Sequence, residues 1–170
     1  MITIALEGSI GAGKSSFLHL LSLLEPKLTI IPEAVGKWSN VGGKNLLALN
    51  YENPKKYAFT LQMYIMKTQL EDYYQTNGKV RLFERSPHSS LIFLEMRRNT
   101  LDEVEMIVAK DWLDMITQFR PIKMEFDYII YLRTNPQTAY NRAKARARPE
   151  DPLITLSFFE QLHEKHEQWI

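Results

Sequence analysis

The chain has 170 residues, 45% of them hydrophobic and 24% charged, with a formal net charge of +1 and no cysteine. That length supports one domain over residues 1–170 with a substantial core, and the near-neutral charge gives no bulk attraction to a nucleic acid polymer or an anionic membrane. The missing cysteines exclude disulfides, thiol catalysis and thiolate metal sites, and they fit a reducing compartment. No apolar run reaches the roughly 18 residues of a membrane span, and a strand pattern begins at Ile2. A cytoplasmic protein without a leader is therefore expected, with the nucleus as the other compartment.

In chain order, Ile2-Thr3-Ile4-Ala5-Leu6 is a short apolar run that predicts a strand over 2–7. Residues 8–15 then read G-S-I-G-A-G-K-S, a full phosphate-binding loop of the form G-x-x-x-x-G-K-[ST]. The apolar spacing of Phe17, Leu18, Leu20, Leu21 and Leu24 predicts a helix over 15–24. Strand, glycine loop and helix form the context that gives this pattern a mechanism. Backbone N–H groups of Gly8, Ser9, Ile10, Gly11, Ala12 and Gly13 face a polyphosphate, and the helix opening at Ser15 and Ser16 aims its positive end there. Lys14 reaches the β- and γ-phosphates, and the Ser15 hydroxyl sits on Mg²⁺. ATP with Mg²⁺ is the expected ligand.

Further β-rich runs occur at 28–32, 80–84 and 126–132, and helical stretches at 55–76, 88–97, 102–119, 136–147 and 155–168. Strands alternating with long helices imply an α/β fold whose parallel sheet is covered on both faces. Ligands bind such sheets beyond the carboxyl ends of the strands, so the residues that follow each strand are the candidates. Glu33 follows the second strand and suits a general base that takes the proton of an acceptor hydroxyl as the γ-phosphoryl leaves ATP. Its plain alternative is an acid favoured by a helix N-terminus. Glu84-Arg85 closes the third strand. The carboxylate suits Mg²⁺ and the guanidinium suits the accepting oxygen, against the alternative of a surface ion pair. After the fourth strand, Arg142, Arg146 and Arg148 suit a lid over about 142–152 that closes on phosphate, or simply cations near a helix C-terminus. Tyr51 and Gln62 lie in or beside an aromatic-rich helix, where periodicity alone marks core rather than a site. His163 and His166 are three apart, not the four of a zinc-protease motif, and read as a solvated helix face.

Six ordered blocks nevertheless recur together: G-S-I-G-A-G-K-S-S, P-E-A-V-G-K-W-S-N-V, A-F-T-L-Q-M-Y, F-E-R-S-P-H-S, D-Y-I-I-Y-L-R-T-N-P and Q-L-H-E-K-H-E-Q-W-I. They span nearly the whole chain, which resembles the deoxyribonucleoside kinases. The resemblance implies a three-layer P-loop kinase fold and transfer of the ATP γ-phosphoryl group to the 5′-hydroxyl of a deoxynucleoside, in a homodimer. It implies Glu33 as base, Glu84 on Mg²⁺ or as proton acceptor, and Arg85 on the 5′-oxygen and Glu33. It further implies Gln62 on the base edge, Tyr51 on the 3′-hydroxyl, Trp38 lining the base pocket, and Arg142, Arg146 and Arg148 in the lid.

The chain departs from that pattern in several places. Asp151 stands where relatives carry a glutamate for the 3′-hydroxyl, Ala34 replaces a proline, and either Phe93 or Leu94 takes the place of the aromatic that stacks on the base. Purine-preferring relatives carry an arginine–aspartate pair where this chain has Gln69 and Ser90, which tilts the expectation to pyrimidine deoxynucleosides. A fifth, C-terminal strand of the relatives has no counterpart in the sequence. The rival readings are a thymidylate-like nucleoside monophosphate kinase and a nucleotide-binding relative without turnover. No N-K-x-D guanine motif supports a GTPase.

Overall fold

The computed structural model describes residues 1–146 and 154–170. These form two compact units: Met1–Glu33 with Thr76–Ser86 and Phe126–Ile170, and Ala34–Gln75 with Pro87–Glu125.

The first unit is an all-parallel sheet in the order β2-β3-β1-β4, from β1 (Ile2–Glu7), β2 (Thr29–Ile31), β3 (Val80–Glu84) and β4 (Tyr128–Tyr131). Its helices are α1 (Lys14–Leu24), α7 (Pro136–Arg146) and α8 (Leu156–Trp169). β1 lies centrally because Ile4, Ala5 and Leu6 are apolar and can be covered on both faces, and Ala5 and Leu6 are wholly buried. Leu18 of α1 packs on Leu6 and Leu82, with Phe17, Leu21, Ile30, Ile130 and Leu132 around them. The register pairs Leu6 with Glu84 and Ile31 with Phe83. Continued past the strand ends, it brings Glu7, Arg85 and Glu33 into one row at the carboxyl edge.

The second unit is helical: α2 (Val35–Trp38), α3 (Leu46–Glu52), α4 (Pro54–Gln75), α5 (Pro87–Glu95) and α6 (Glu103–Gln118). One core gathers Met66, Leu94, Met106, Ala109, Leu113 and Ile116 from α4, α5 and α6. Another gathers Trp38, Leu46 and Leu61. Two short helices, α2 and α3, fall outside the helical stretches expected from sequence. α3 is started by Asn45, whose side chain accepts from the Ala48 amide at 3.0 Å. α6 opens with a capping box in which Asp102 and Glu105 each accept a backbone N–H. No helix among the described residues is long and apolar enough to cross a membrane.

The solvated-face reading of 163–166 fails at His166, which is 0% exposed. Its ring stacks on Tyr131 at 6.0 Å and 6°, and Nδ1 lies 2.7 Å from the Leu162 carbonyl. The residue falls one turn after Leu162 on the apolar side of α8, so the helix rotation overrides its polarity. Burial lowers its pKa to about 4. Between pH 6.5 and 4 the unfolded chain then holds the proton more tightly than the folded one, and stability falls as pH drops through that window. Urea unfolding should show His166 costing about 2–3 kcal/mol between pH 7 and pH 4.5, and His166→Phe, which keeps the stack, should remove that share of the loss.

Candidate functional site

The glycine loop takes the conformation its sequence requires. Gly11 and Gly13 have φ of +72° and +99°, a region that costs a side-chain-bearing residue about 1–2 kcal/mol. A Cβ on Gly11 would stand 2.2 Å from the Ala139 carbonyl oxygen, so the loop also needs glycine for close approach to α7. Gly13 caps α1 without a side-chain hydrogen bond, and no acid occupies the first turn. The positive end of α1 is thus left to an incoming anion. Ser9 is buried, Ile10 half-buried, Ala12 buried and Ser16 exposed. The Ala12 carbonyl accepts from Thr134 Oγ1 at 3.3 Å and from Arg142 Nη1 at 3.4 Å, which brings the first expected lid arginine to the loop.

Lys14 is 5% exposed, and its Nζ donates to the carbonyls of Gly8 (3.2 Å) and Ser9 (3.0 Å). Burial, then the Arg85 guanidinium, lower its pKa to about 8, against the upward pull of Glu33, Glu84 and Glu7. The Ser15 hydroxyl donates to both oxygens of Glu84, at 3.0 and 3.2 Å. Burial and the neighbouring Glu33 charge raise the Glu84 pKa, partly opposed by Lys14 and Ser15. A hydroxyl and a carboxylate in contact beside a phosphate loop match the few protein oxygens that Mg²⁺ takes alongside phosphates and waters.

Arg85 is the pivot of the edge. It is 6% exposed and the one non-glycine residue among those described with positive φ, at 72°. Its amide donates to the Leu6 carbonyl at 3.0 Å, Nε donates to Glu33 Oε1, and Nη1 donates to the Gly8 carbonyl at 3.0 Å. Burial opposes the guanidinium charge, but Glu33 and Glu7 more than offset it and its pKa is raised. The Glu33 side chain keeps 19% of its surface exposed. The two strand-end acids expected from sequence do lie on neighbouring strands, since β2 pairs with β3. The plain alternatives, a surface ion pair at Glu84-Arg85 and a capping acid at Glu33, do not describe this buried cluster.

Glu7 belongs to the same cluster and was missed by the reading of strand followers, because it sits inside β1. An acid closing an apolar strand immediately before the glycine loop was the signal available.

The second unit carries the remaining expected residues. Trp38 is 5% exposed and its Nε1 donates to Thr68 Oγ1 at 2.9 Å. Tyr51 is half-buried on α3. Gln62 on α4 and Ser90 on α5 are buried, and Gln62 Oε1, Gln69 Oε1 and Ser90 Oγ find no hydrogen-bond partner among the described residues. Leu94 is wholly inside the core, while Phe93 is half-buried. Arg146 is exposed at the end of α7. Arg148 and Asp151 lie outside the described residues.

A family model described as deoxynucleoside kinase matches residues 4–170. The chain belongs to the deoxynucleoside kinase family. It is 39% identical to thymidine kinase 2, mitochondrial, of Homo sapiens and of Macaca fascicularis, over 98% of this chain and 63% of those proteins. It is 33% identical to the deoxycytidine kinase of Mus musculus over 98% of this chain and 74% of that protein. The chain thus spans 63% of the length of the thymidine kinase 2 relatives.

Gly11→Ala should destabilise the protein by about 2–4 kcal/mol in urea unfolding, combining the φ penalty with overpacking against α7. Gly42→Ala, at φ +56° with open space around its Cβ, should cost only about 1 kcal/mol.

Proposed function

We propose that the protein transfers the γ-phosphoryl group of ATP to the 5′-hydroxyl of a deoxynucleoside. The observation that carries this reading is the edge row of Glu33 and Arg85 beside Glu84, Ser15 and the phosphate loop. Family membership adds to it. The loop amides and Lys14 hold the polyphosphate, and Arg142, with Arg146 and Arg148, brings further cations to it. Ser15 and Glu84 would hold Mg²⁺, which supplies charge neutralisation on the phosphates. Glu33 accepts the proton of the 5′-hydroxyl as that oxygen bonds to the γ-phosphorus. The bond from the γ-phosphorus to the bridging oxygen breaks, and the electron pair leaves with ADP. Arg85 holds Glu33 through its Nε–H, and its guanidinium offsets charge on the reacting oxygen.

Pyrimidine deoxynucleosides are the proposed acceptors. Gln62, Gln69 and Ser90 offer buried uncharged groups whose hydrogen bonds a base edge would complete, and stranding such groups is what discriminates strongly between substrates. On this reading Trp38 and Phe93 supply apolar walls, while Tyr51 and Asp151 serve the sugar. The cytoplasmic setting expected from the cysteine-free composition stays part of the proposal.

Radiolabelled ATP offered with four deoxynucleosides and their monophosphates tests the reading. Thymidine or deoxycytidine should be labelled in preference to the purines, and labelling of monophosphates alone would replace this reading with a nucleotide kinase. Glu33→Gln should lower kcat by about 10²–10⁴-fold while ATP affinity, measured without acceptor, stays within about two-fold.

A homodimer is also proposed, supported by the outer face of α6. Val104, Val108 and Trp112 follow one stripe of that helix and Phe119 follows its last turn; they are 64%, 36%, 46% and 61% exposed. An uncovered apolar stripe of this kind favours a second copy that presents the same stripe to it. Sedimentation should give twice the 19.9 kDa chain mass, and Trp112→Glu should give the single mass with unchanged circular dichroism. A monomeric wild type would overturn the pairing.

A further inference from the structure

We propose that Glu7 is a positioning residue of the phosphoryl-transfer site, acting through Arg85. Its carboxylate is 0% exposed. Oε1 accepts from both the Ser86 amide and the Ser86 hydroxyl, each at 2.7 Å. Oε2 makes no hydrogen bond among the described residues and stands 3.9 Å from Arg85 Nη1. The acid therefore pins the residue after Arg85 by two charge-assisted bonds and faces the guanidinium with its other oxygen.

Both contacts bear on the same difficulty. Arg85 must leave β3 through a left-handed conformation that arginine disfavours, and it must then aim a buried cation at Glu33 and the Gly8 carbonyl. Ser86, held by Glu7, fixes the exit of that turn, and the Glu7 charge balances the guanidinium at Nη1 while Glu33 binds Nε. Burying a carboxylate is costly unless its charge is met, and here Ser86 and the Arg85 guanidinium meet it. Burial in fact pushes the Glu7 pKa up, opposed by Arg85 and by the Ser86 bonds.

The inference rests on the kinase reading for its catalytic consequence but not for its geometry, so two readouts separate them. Glu7→Gln keeps the shape and an oxygen for Ser86 and deletes the charge. It should lower kcat about ten-fold with the KM for ATP within about two-fold, and Glu7→Asp should recover part of the loss. In an Arg85→Lys background, Glu7→Gln should cost less than about two-fold, because its route of action is already gone. Independently of turnover, the Arg85 Nε–H signal in ¹⁵N NMR, assigned by its loss in Arg85→Lys, should shift and exchange faster with water in Glu7→Gln. If that variant does not fold, Ser86→Ala, which removes one bond to Oε1, should move the same signal. An unmoved Arg85 signal, or a Glu7→Gln loss that multiplies fully in the Arg85→Lys background, overturns the proposal. A moved signal in a protein that labels no deoxynucleoside would leave the positioning role standing and defeat the kinase reading alone.

Discussion

Arg85 is a cation that has left water at the mouth of a parallel sheet, and most of the site follows from how its charge is compensated. A buried guanidinium stripped of a partner costs about 3–5 kcal/mol. This one is met by Glu33 from the end of β2, by Glu7 from the end of β1 and by the Gly8 carbonyl at the start of the loop. Those partners come from neighbouring strands because the parallel register leaves no alternative: Ile31 beside Phe83 and Leu6 beside Glu84 set the next residues side by side. The phosphate loop is thereby tied to the acids beside it. Arg85 Nη1 holds the carbonyl of the residue from which the loop departs.

The charges around the loop are arranged to be unsatisfied in a complementary way. Lys14 and Arg85 provide two cations, and Glu7, Glu33 and Glu84 provide three carboxylates; Lys14, Arg85, Glu7 and Glu84 are drawn in against desolvation. Burial, then the Glu33 charge, raises the Glu84 pKa, so this carboxylate favours added positive charge, and a buried lysine lowered to about 8 beside an uncapped helix end favours added negative charge. A polyphosphate carrying a divalent cation supplies both at once. A free anion or a free cation would satisfy only half of the arrangement.

Much of this was legible in the chain. The loop motif named Lys14 and Ser15, and strand alternation pointed to Glu33, Glu84 and Arg85, because strand ends in parallel sheets are where ligands bind. The periodic helices emerged within a residue or two of their expected bounds. What sequence could not convey was direction and depth. Glu7 looked like the last residue of a strand, and only register reveals that it faces Arg85. His166 looked like part of a charged surface run, and only the rotation of α8 buries it on Tyr131. α2 and α3 are too short for a helical period to register, so Tyr51 had no element to stand on. Leu94 and Phe93 were interchangeable on paper, and the core of α4, α5 and α6 claims the first.

The location of these residues also separates chemistry from choice. Every group proposed for phosphate, metal and proton among the described residues lies in the sheet unit: Glu33, Glu84 and Arg85 at strand ends coupled through backbone pairing, Lys14 and Ser15 where the loop enters α1, and Arg142 and Arg146 on α7. The groups proposed to read the base, Gln62, Gln69, Ser90 and Phe93, lie on the helices of the other unit, where each side chain changes without altering a register. A substitution at Arg85 or Glu33 must disturb its neighbours, since each is part of the other's solvation. One at Gln69 or Ser90 changes which polar atom is left unpaired and little else. The edge row is thus constrained by a buried charge that every neighbour must answer, and the side chains proposed to read the base are not.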